Sequence, residues 1–427
     1  MSFETISSFF VNFTEGLINF SYYYPFFMAY VWMVGAIFYY YHWERKTRPD
    51  RPPQLSDYPM VSVIVPCYNE EEHIEETIEY LTKLNYPHYE IIAVNDGSSD
   101  KTGEILRKLE HEIPELRVLE FEENQGKAMG LNMAAMISKG EYLVCIDGDA
   151  ILDPDAITWI MTHFLTGPRV GAVTGNPRIR TRSTILGKIQ VGEFSAIVGM
   201  IKRAQRIYGR VFTISGVVAA FRKSALHSVG YWHTDMVTED IDVSWRLQLS
   251  HWDIRFEPNA LCWILMPETL KGLWKQRLRW AQGGAEVLLK YASKMKDIKS
   301  RRMWGIYMEY FLSLFWAYSA VLTISLWILG KFVELPEGVN VPTLIPSVHG
   351  TLLGITFMLQ FAVSLGIDSR YEKGIAKYYY WMIWYPIAFW LINAFTTVVG
   401  FVKAVLKEPG KRAVWESPDR GLRSRND

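Results

Sequence analysis

Cysteine is scarce: only Cys67, Cys145 and Cys262 occur in 427 residues, at spacings that form no metal motif. That excludes a disulfide-stapled secreted domain and a structural zinc site, and it points to buried free thiols in a reducing compartment. There is no G-x-x-x-x-G-K-[ST] phosphate loop, no G-x-G-x-x-G fingerprint, no internal repeat and no low-complexity tract. ATP hydrolysis is therefore not indicated. Net charge is also missing, because 45 basic and 45 acidic side chains cancel. With its basic clusters beside hydrophobic runs, such a chain has no nucleic-acid footprint.

Charge is absent altogether from four long stretches: Gly16 to Trp43, Tyr310 to Gly330, Gly338 to Ile367 and Tyr378 to Val402. Each meets the requirement of about 20 apolar residues for a bilayer crossing. Tyr and Trp crowd their ends, at Tyr22 to Tyr24, Tyr39 to Trp43 and Tyr378 to Trp384, as expected at membrane interfaces. The first stretch is too long for a cleaved secretory signal, with no basic residue before it and no small-residue cleavage site after it, so it reads as a retained anchor.

Arg45, Lys46, Arg48 and Arg51 follow the first stretch, and Lys296, Lys299, Arg301 and Arg302 precede the second. This bias places the central domain in the cytoplasm. Three further crossings would leave the tail outside, yet it carries Lys403, Lys407, Lys411, Arg412, Arg420, Arg423 and Arg425. Either the Pro386 segment or the Pro342/Pro346 segment is re-entrant, or the tail breaks the charge rule. The expected division is a membrane segment at 1–43, a cytoplasmic domain with interfacial helices at 44–304, transmembrane helices at 305–402 and a basic tail at 403–427.

After a linker stiffened by Pro49, Pro52, Pro53 and Pro59, Val61 to Val65 reads as a buried strand. Strand, turn and helix then alternate through helix 71–84, strand 91–94, helix 103–112, strand 117–121, helix 127–138 and strand 142–146. Such alternation predicts a doubly wound α/β domain with a mostly parallel sheet. Ligands in that architecture sit beyond the carboxyl ends of the strands, and Asn69, Glu70, Asp96 and Asp147 all fall there. After Gly167 the regularity weakens. Pro177 to Arg182 is basic, and Leu186 to Arg206 mixes apolar positions with Lys188, Lys202, Arg203 and Arg206. It suits an amphipathic helix on a membrane surface or a solvated helix face.

Asp147-Gly-Asp149 closes a buried strand, and two carboxylates one residue apart can hold Mg²⁺ or Mn²⁺ together with substrate phosphates. An ordinary Asp-Gly turn is the plain alternative. Thr238-Glu-Asp240 opens a helix with an acidic first turn, where it can cap or supply a general base. In Gln276-Arg-Leu-Arg-Trp280, Gln276 and Trp280 share a helical face with Arg279 beside them. An Arg can grip phosphate and the indole can seat a sugar, although interfacial anchoring also suits the mixture. Lys127 opens a helix where an anion is favoured, or is a solvated turn lysine. Ser215-Gly216 to Phe221-Arg222 permits close approach of a chain-like acceptor, or is a buried strand.

In order, Val65-Pro-Cys-Tyr-Asn-Glu70, Asn95-Asp-Gly-Ser-Ser-Asp100, Gly126-Lys-Ala, Asp147-Gly-Asp149, Thr238-Glu-Asp240 and Gln276-x-x-Arg-Trp280 resemble the motif series of family 2 glycosyltransferases. The final pentapeptide resembles the processive, membrane-embedded branch: cellulose, chitin and hyaluronan synthases and, most similar in layout, bacterial poly-N-acetylglucosamine synthases. The resemblance implies a GT-A fold, a UDP-sugar donor (UDP-N-acetylglucosamine for that last group), a divalent cation and inversion by direct displacement.

Under it, Glu70 and Asp96 hold ribose and uridine, and Lys127 lies near the nucleotide. Asp147 and Asp149 serve nucleotide and metal, with Asp149 the direct ligand. Asp240 is the base with Glu239 beside it, Gln276 and Trp280 meet the acceptor sugar, and Arg279 steadies the diphosphate. It further implies a multi-pass protein of the cell inner membrane in contact with lipid, a growing β-1,6-linked exopolysaccharide of biofilm matrix as acceptor, a small two-span subunit, and cyclic-di-GMP at an interface. The series departs from its pattern at Asn95, where many members have Asp, and at Trp415 to Arg420, which follows Trp-x-x-Thr-x-Arg only loosely. A transferase that loads one sugar onto a lipid phosphate shares the earlier motifs, but the pentapeptide argues against it. A membrane scaffold that only binds sugar nucleotides would not need Asp240.

Overall fold

The computed structural model describes residues 3–336, 339–341, 343–344, 347–408 and 410–413. Helix α1 (Phe3–Tyr39) passes through a π-helical turn, Tyr40–Glu44, and the proline-stiffened linker into the α/β domain. There β1 (Val61–Cys67), α2 (Ile74–Leu81), β2 (Tyr89–Asp96), α3 (Thr102–Glu112), β3 (Leu116–Phe121), α4 (Lys127–Ile137) and β4 (Tyr142–Ile146) follow in the expected alternation. Successive side chains of a strand point to opposite faces, and the apolar pattern obeys this. Val63, Val65, Ile91, Ala93 and Val144 pack with α2 and α3, while Ile64, Ile92, Val94, Leu143 and Cys145 pack with α4. A sheet covered on both faces needs such unbroken apolar strands.

The second half holds β5 (Ile151–Leu152), α5 (Ala156–Thr166), β6 (Val170–Ile179), α6 (Ile185–Phe194), a π-helical stretch Ser195–Met200, α7 (Ile201–Ile207), β7 (Val218–Arg222), α8 (Lys223–Val229), α9 (Glu239–Leu249) and β8 (Asp253–Ile264). The single eight-stranded sheet has the order β3-β2-β1-β4-β7-β6-β8-β5. Strands β1 to β4 are parallel, β7 runs antiparallel to both β4 and β6, and β5 is antiparallel to β8. The sheet is thus parallel through β4, as expected, and mixed beyond it, where the regularity of the sequence weakens.

The basic stretch from Pro177 begins inside the sheet: Pro177 and Arg178 belong to β6, which is buried throughout. A charge at Arg178 is tolerated there because its guanidinium donates to Asp368 at 2.8 Å, 190 residues away. One reading of this half is corrected: the run from Leu186 to Arg206 is not one amphipathic surface helix. Lys202 and Arg203 are buried, and Arg203 is matched by Glu44 at 2.6 Å and by Asp368 at 2.9 Å.

Beyond the sheet come α10 (Leu270–Tyr291), 3₁₀ turns Ala292–Lys296 and Ile298–Met303, α11 (Trp304–Leu329), α12 (Ser347–Asp368), a 3₁₀ stretch Ile375–Trp384 and α13 (Tyr385–Leu406). Among the described residues three helices are long and apolar enough to cross a membrane: Ile298–Leu329, Val348–Asp368 and Phe389–Leu406. Helix α1 is longer still, but its tyrosines and Asn19 dilute its hydropathy, and Pro25 lies within it. It packs between α11 and α12, with Trp316 donating to Ser21 O at 2.9 Å and Tyr24 to Glu309 O at 3.1 Å. The core under β1 continues without a break into Ala29, Met33 and Ala36 of α1 and Phe361 and Leu365 of α12. Pro342 and Pro346 themselves and the motif from Trp415 to Arg420 lie outside the described residues, while most of the rest of that charge-free run forms α12.

Candidate active site

The cleft opens at the carboxyl ends of β1, β2 and β4. Asp96 ends β2 and accepts from the amides of Gln125 at 2.7 Å and Gly126 at 2.9 Å, which fixes the turn that starts α4. Burial pushes its carboxyl up, and the two amides pull it part of the way back. The turns after β1 and β2 are stitched together: Asn69 adopts φ 54° and accepts from the Ser99 amide at 2.9 Å. Asn95 accepts from Ser98 N at 3.2 Å, so Asn95 shapes the turn while Asp96 reaches the cleft rim. Glu70 is buried, and its amide donates to Thr102 at 2.7 Å.

Asp147-Gly-Asp149 follows β4 as a turn, closed by Ala150 N donating to Asp147 O at 3.1 Å. Lys127, the first residue of α4, donates to Asp147 Oδ1 at 2.5 Å and stands 3.6 Å from Glu239. Burial alone would lower the Lys127 pKa, but Asp147, Glu239 and Asp240 together raise it, so it is a cation. Asp149 is buried beside Asp147, and burial followed by that neighbouring charge pushes its carboxyl up to about 7. A divalent cation would relieve both costs. Among the described residues no three His, Cys, Asp or Glu side chains form a preformed cage. Two carboxylates completed by substrate phosphates and water are what Mg²⁺ commonly uses, so the donor set fits a cation that arrives with a diphosphate.

Thr238 precedes α9 with extended backbone but makes no side-chain cap bond, so the capping alternative holds for position and not for hydrogen bonding. Gly283 of α10 lies so close that a Cβ there would meet Thr238 Oγ1 at 1.9 Å, which brings α10 onto the start of α9. Asp240 accepts from Gly216 N at 3.2 Å and Ile241 N at 2.9 Å. Burial, then Glu239, raise its carboxyl to about 6, against the pull of Lys127 and Arg279. A half-buried carboxylate poised near neutrality is suited to accept a proton.

On α10, Gln276 and Trp280 lie half-buried and Arg279 is exposed. Arg279 acts on Asp240 electrostatically. The pentapeptide's other arginine, Arg277, is the buried one. It bonds Glu193 at 2.6 Å and lies 4.4 Å from the Trp280 ring centroid, so it braces the indole. The Gln276 amide nitrogen reaches Met266 Sδ at 3.6 Å.

The structure therefore brings Glu70, Asp96, Lys127, Asp147, Asp149, Glu239 and Asp240 to one sheet edge, with Gln276, Arg279 and Trp280 on the adjoining helix. Sequence reasoning missed Arg277, Thr174 and Lys202. Lys202 stands beside Arg203 in a run that also holds Gln205 and Arg206, so nothing in the sequence set it apart from a solvated face. Cys67, Cys145 and Cys262 are buried and form no disulfide.

A glycosyltransferase-like family 2 model matches residues 59–283. The chain is 42% identical over 406 residues, 94% of its length and 98% of the relative's, to poly-beta-1,6-N-acetyl-D-glucosamine synthase of Staphylococcus aureus (strain COL). It is 41% identical over 410 residues, 95% and 98% of the two chains, to the synthase of the same name from Staphylococcus epidermidis. A mannosyltransferase from Pyrobaculum calidifontis, solved with GDP-Man and Mn²⁺, superposes with TM-score 0.58 at 22% identity over 92% of this chain and 100% of that one, and shares the GT-A fold. With its cleft residues on this fold and 94% of its length aligned to such a synthase, the chain belongs to the family 2 glycosyltransferases.

Proposed function

We propose that this protein is an inverting, processive transferase that takes N-acetylglucosamine from UDP-N-acetylglucosamine and builds poly-β-1,6-N-acetylglucosamine, a biofilm exopolysaccharide. The observation that carries the reading is the half-buried Asp240 carboxylate within the electrostatic reach of Lys127, itself paired with Asp147, in a chain 42% identical to synthases of that polymer.

Glu70 and Asp96 hold ribose and uridine at the ends of β1 and β2. Lys127 lies beside the diphosphate, and Arg279 reaches it from α10. Asp149, with Asp147 beside it, would hold Mg²⁺ or Mn²⁺, and the bound cation supplies charge neutralisation for the departing diphosphate. The acceptor's terminal sugar lies on Trp280 and against Gln276. Asp240 takes the proton of the 6-hydroxyl as its oxygen attacks the anomeric carbon opposite the diphosphate, whose oxygen leaves with the bonding pair. One displacement inverts the configuration, so an α-linked donor yields a β-linkage. Glu239 keeps Lys127 in place and, by its own charge, raises the proton affinity of Asp240.

The domain faces the cytoplasm of a cell whose inner membrane holds α1, α11 and α12 among lipid, and the polymer leaves through these helices. A small two-span subunit fits against the spans, with cyclic-di-GMP at an interface; both come from the resemblance alone. Purified protein in lipid, given labelled UDP-N-acetylglucosamine, should release UDP and make long chains that a β-1,6-specific glucosaminidase degrades. A single lipid-linked sugar, or turnover of another donor in its place, defeats the reading.

A further inference from the structure

Lys202, on α7, is buried within the catalytic domain at 5% exposure. Its ammonium donates to Thr174 Oγ1 at 3.0 Å. The same oxygen accepts from the Ser215 amide at 2.9 Å, so both acceptor positions of that hydroxyl are taken and its orientation is fixed. The next residue, Gly216, donates its amide to Asp240 Oδ2. The chain Lys202, Thr174, Ser215, Gly216, Asp240 therefore links a buried cation to the carboxylate at the cleft floor.

An ammonium taken from water without a carboxylate at bonding distance is costly to keep, and a methionine of the same length would fill the space without that cost. Burial accordingly lowers the Lys202 pKa to about 7, and the charge that opposes this shift is that of Asp240, so Lys202 is a cation over the lower pH range in which Asp240 ionises. The other charged groups acting on Asp240 are Glu239 on its own helix, Lys127 on α4 and Arg279 on α10.

We propose that Lys202 is a positioning residue for the acceptor-deprotonating carboxylate: it anchors the Ser215–Gly216 corner through Thr174, and its buried charge favours the ionised form of Asp240. This rests on the reading of Asp240 as the base. Loss of the charge should make Asp240 harder to ionise, and loss of the hydroxyl should loosen its amide donor. Neither should disturb the uridine end of the cleft.

The test uses the full chain in lipid vesicles, comparing Lys202→Met, Lys202→Arg, Thr174→Val and Asp240→Asn for UDP release, KM for UDP-N-acetylglucosamine and the pH profile. Lys202→Met should lower kcat roughly tenfold or more, leave the donor KM within about twofold, and move the acidic limb of kcat/KM to higher pH. Lys202→Arg should return the limb toward its original position. Thr174→Val should lower kcat with the donor KM unchanged, and it carries the test if Lys202→Met does not fold. Wild-type kcat in the variant examined, or a lowered kcat in Lys202→Met with an unmoved acidic limb, overturns the proposal. If Asp240→Asn keeps its turnover, the base reading itself fails; if Asp240→Asn is inactive while Lys202→Met behaves as wild type, only the present proposal does.

Discussion

The backbone amide of Gly216 donates to Asp240 Oδ2 at 3.2 Å, and a Cβ on Gly216 would stand 3.0 Å from that same oxygen. The Gly216 carbonyl lies 3.5 Å from Lys127 Nζ, so one residue borders both the base and the cation of the nucleotide side. A methyl group there must displace the carboxylate by a few tenths of an ångström and also occupies the approach of an acceptor hydroxyl. Gly216→Ala is expected to lower kcat by about 10- to 100-fold, since small misplacements at a reacting centre are expensive. Donor affinity, measured by UDP titration, should stay within about twofold; a variant with wild-type turnover would show that the acceptor does not approach here.

The pH dependence follows from the same carboxylate. Asp240 must be ionised to accept a proton, so kcat/KM should fall as pH drops through about 6. Stability runs the other way. A carboxyl whose folded pKa lies above its unfolded value contributes stability at low pH, and this is lost as pH rises through the folded pKa. Asp240→Asn should therefore be inactive yet more stable than wild type at pH 8, by a few kcal/mol at most. An Asn variant that is both inactive and destabilised at pH 8 would assign Asp240 a structural role instead.

Asp149 is the carboxyl whose environment asks most clearly for a cation, being buried against Asp147 and pushed up to about 7. Chelation should abolish UDP release, with recovery on adding Mg²⁺ or Mn²⁺. In calorimetry, Asp149→Asn should lose the cation-dependent part of UDP binding, a readout that does not need turnover. Equal UDP affinity with and without the cation in the wild-type protein would remove the metal from this site.

The parts legible in sequence were those set by local pattern. The ends of β1, β2 and β4 fall where apolar runs stop, so Glu70, Asp96 and Asp147 could be placed on one edge without coordinates. Asp240 could be placed at the start of a helix, although its role needed the family's motif order. What escaped was whatever depends on a distant partner. Lys202 and Arg203 looked like a solvated face because the groups that accommodate them, Thr174, Glu44 and Asp368, come from three other parts of the chain. The motif order singles out Arg279 but gives Arg277 no role, and the buried partner that shows what Arg277 does, Glu193 on α6, is 84 residues away.

Arg203 joins the catalytic domain to both ends of the membrane region. Its guanidinium bonds Glu44, which ends the turn after α1, at 2.6 Å, and pairs with Asp368, which ends α12, at 2.9 Å. Tyr371 donates to Glu44 at 2.7 Å, completing a buried cluster. Arg203→Met should destabilise the protein by about 3–5 kcal/mol, because it strands buried carboxylates. Pairing it with Glu44→Gln should recover part of the loss in a thermal-unfolding series in lipid nanodiscs. A single variant as stable as wild type would mean that the cluster does not hold the domain to its spans.

Helix α13 decides the number of crossings. Its first residue, Tyr385, donates to Glu193 at 3.4 Å, and just past its last, Lys407 pairs with Glu286 at 2.9 Å, so both ends meet the catalytic domain. Trp390 meets Trp316 edge to face, and Phe401 meets Tyr318 in the same way. Eleven residues of α13, about 16 Å of helix, thus meet α11 at positions only two residues apart, so α13 lies across α11 and not along it. We therefore expect α13, although apolar enough to span, to pack beside α10 without crossing, which would put Lys407, Lys411 and Arg412 on the domain's side, as the charge rule requires. Ala413 N donates to Thr234 O at 3.0 Å, which ties the chain just after α13 to the catalytic domain. With the native cysteines buried, Lys411→Cys and Asn340→Cys can be probed with an impermeant maleimide in right-side-out and inverted vesicles. Lys411→Cys should label only in inverted vesicles and Asn340→Cys only in right-side-out ones; labelling of both from the same side would restore α13 as a crossing helix.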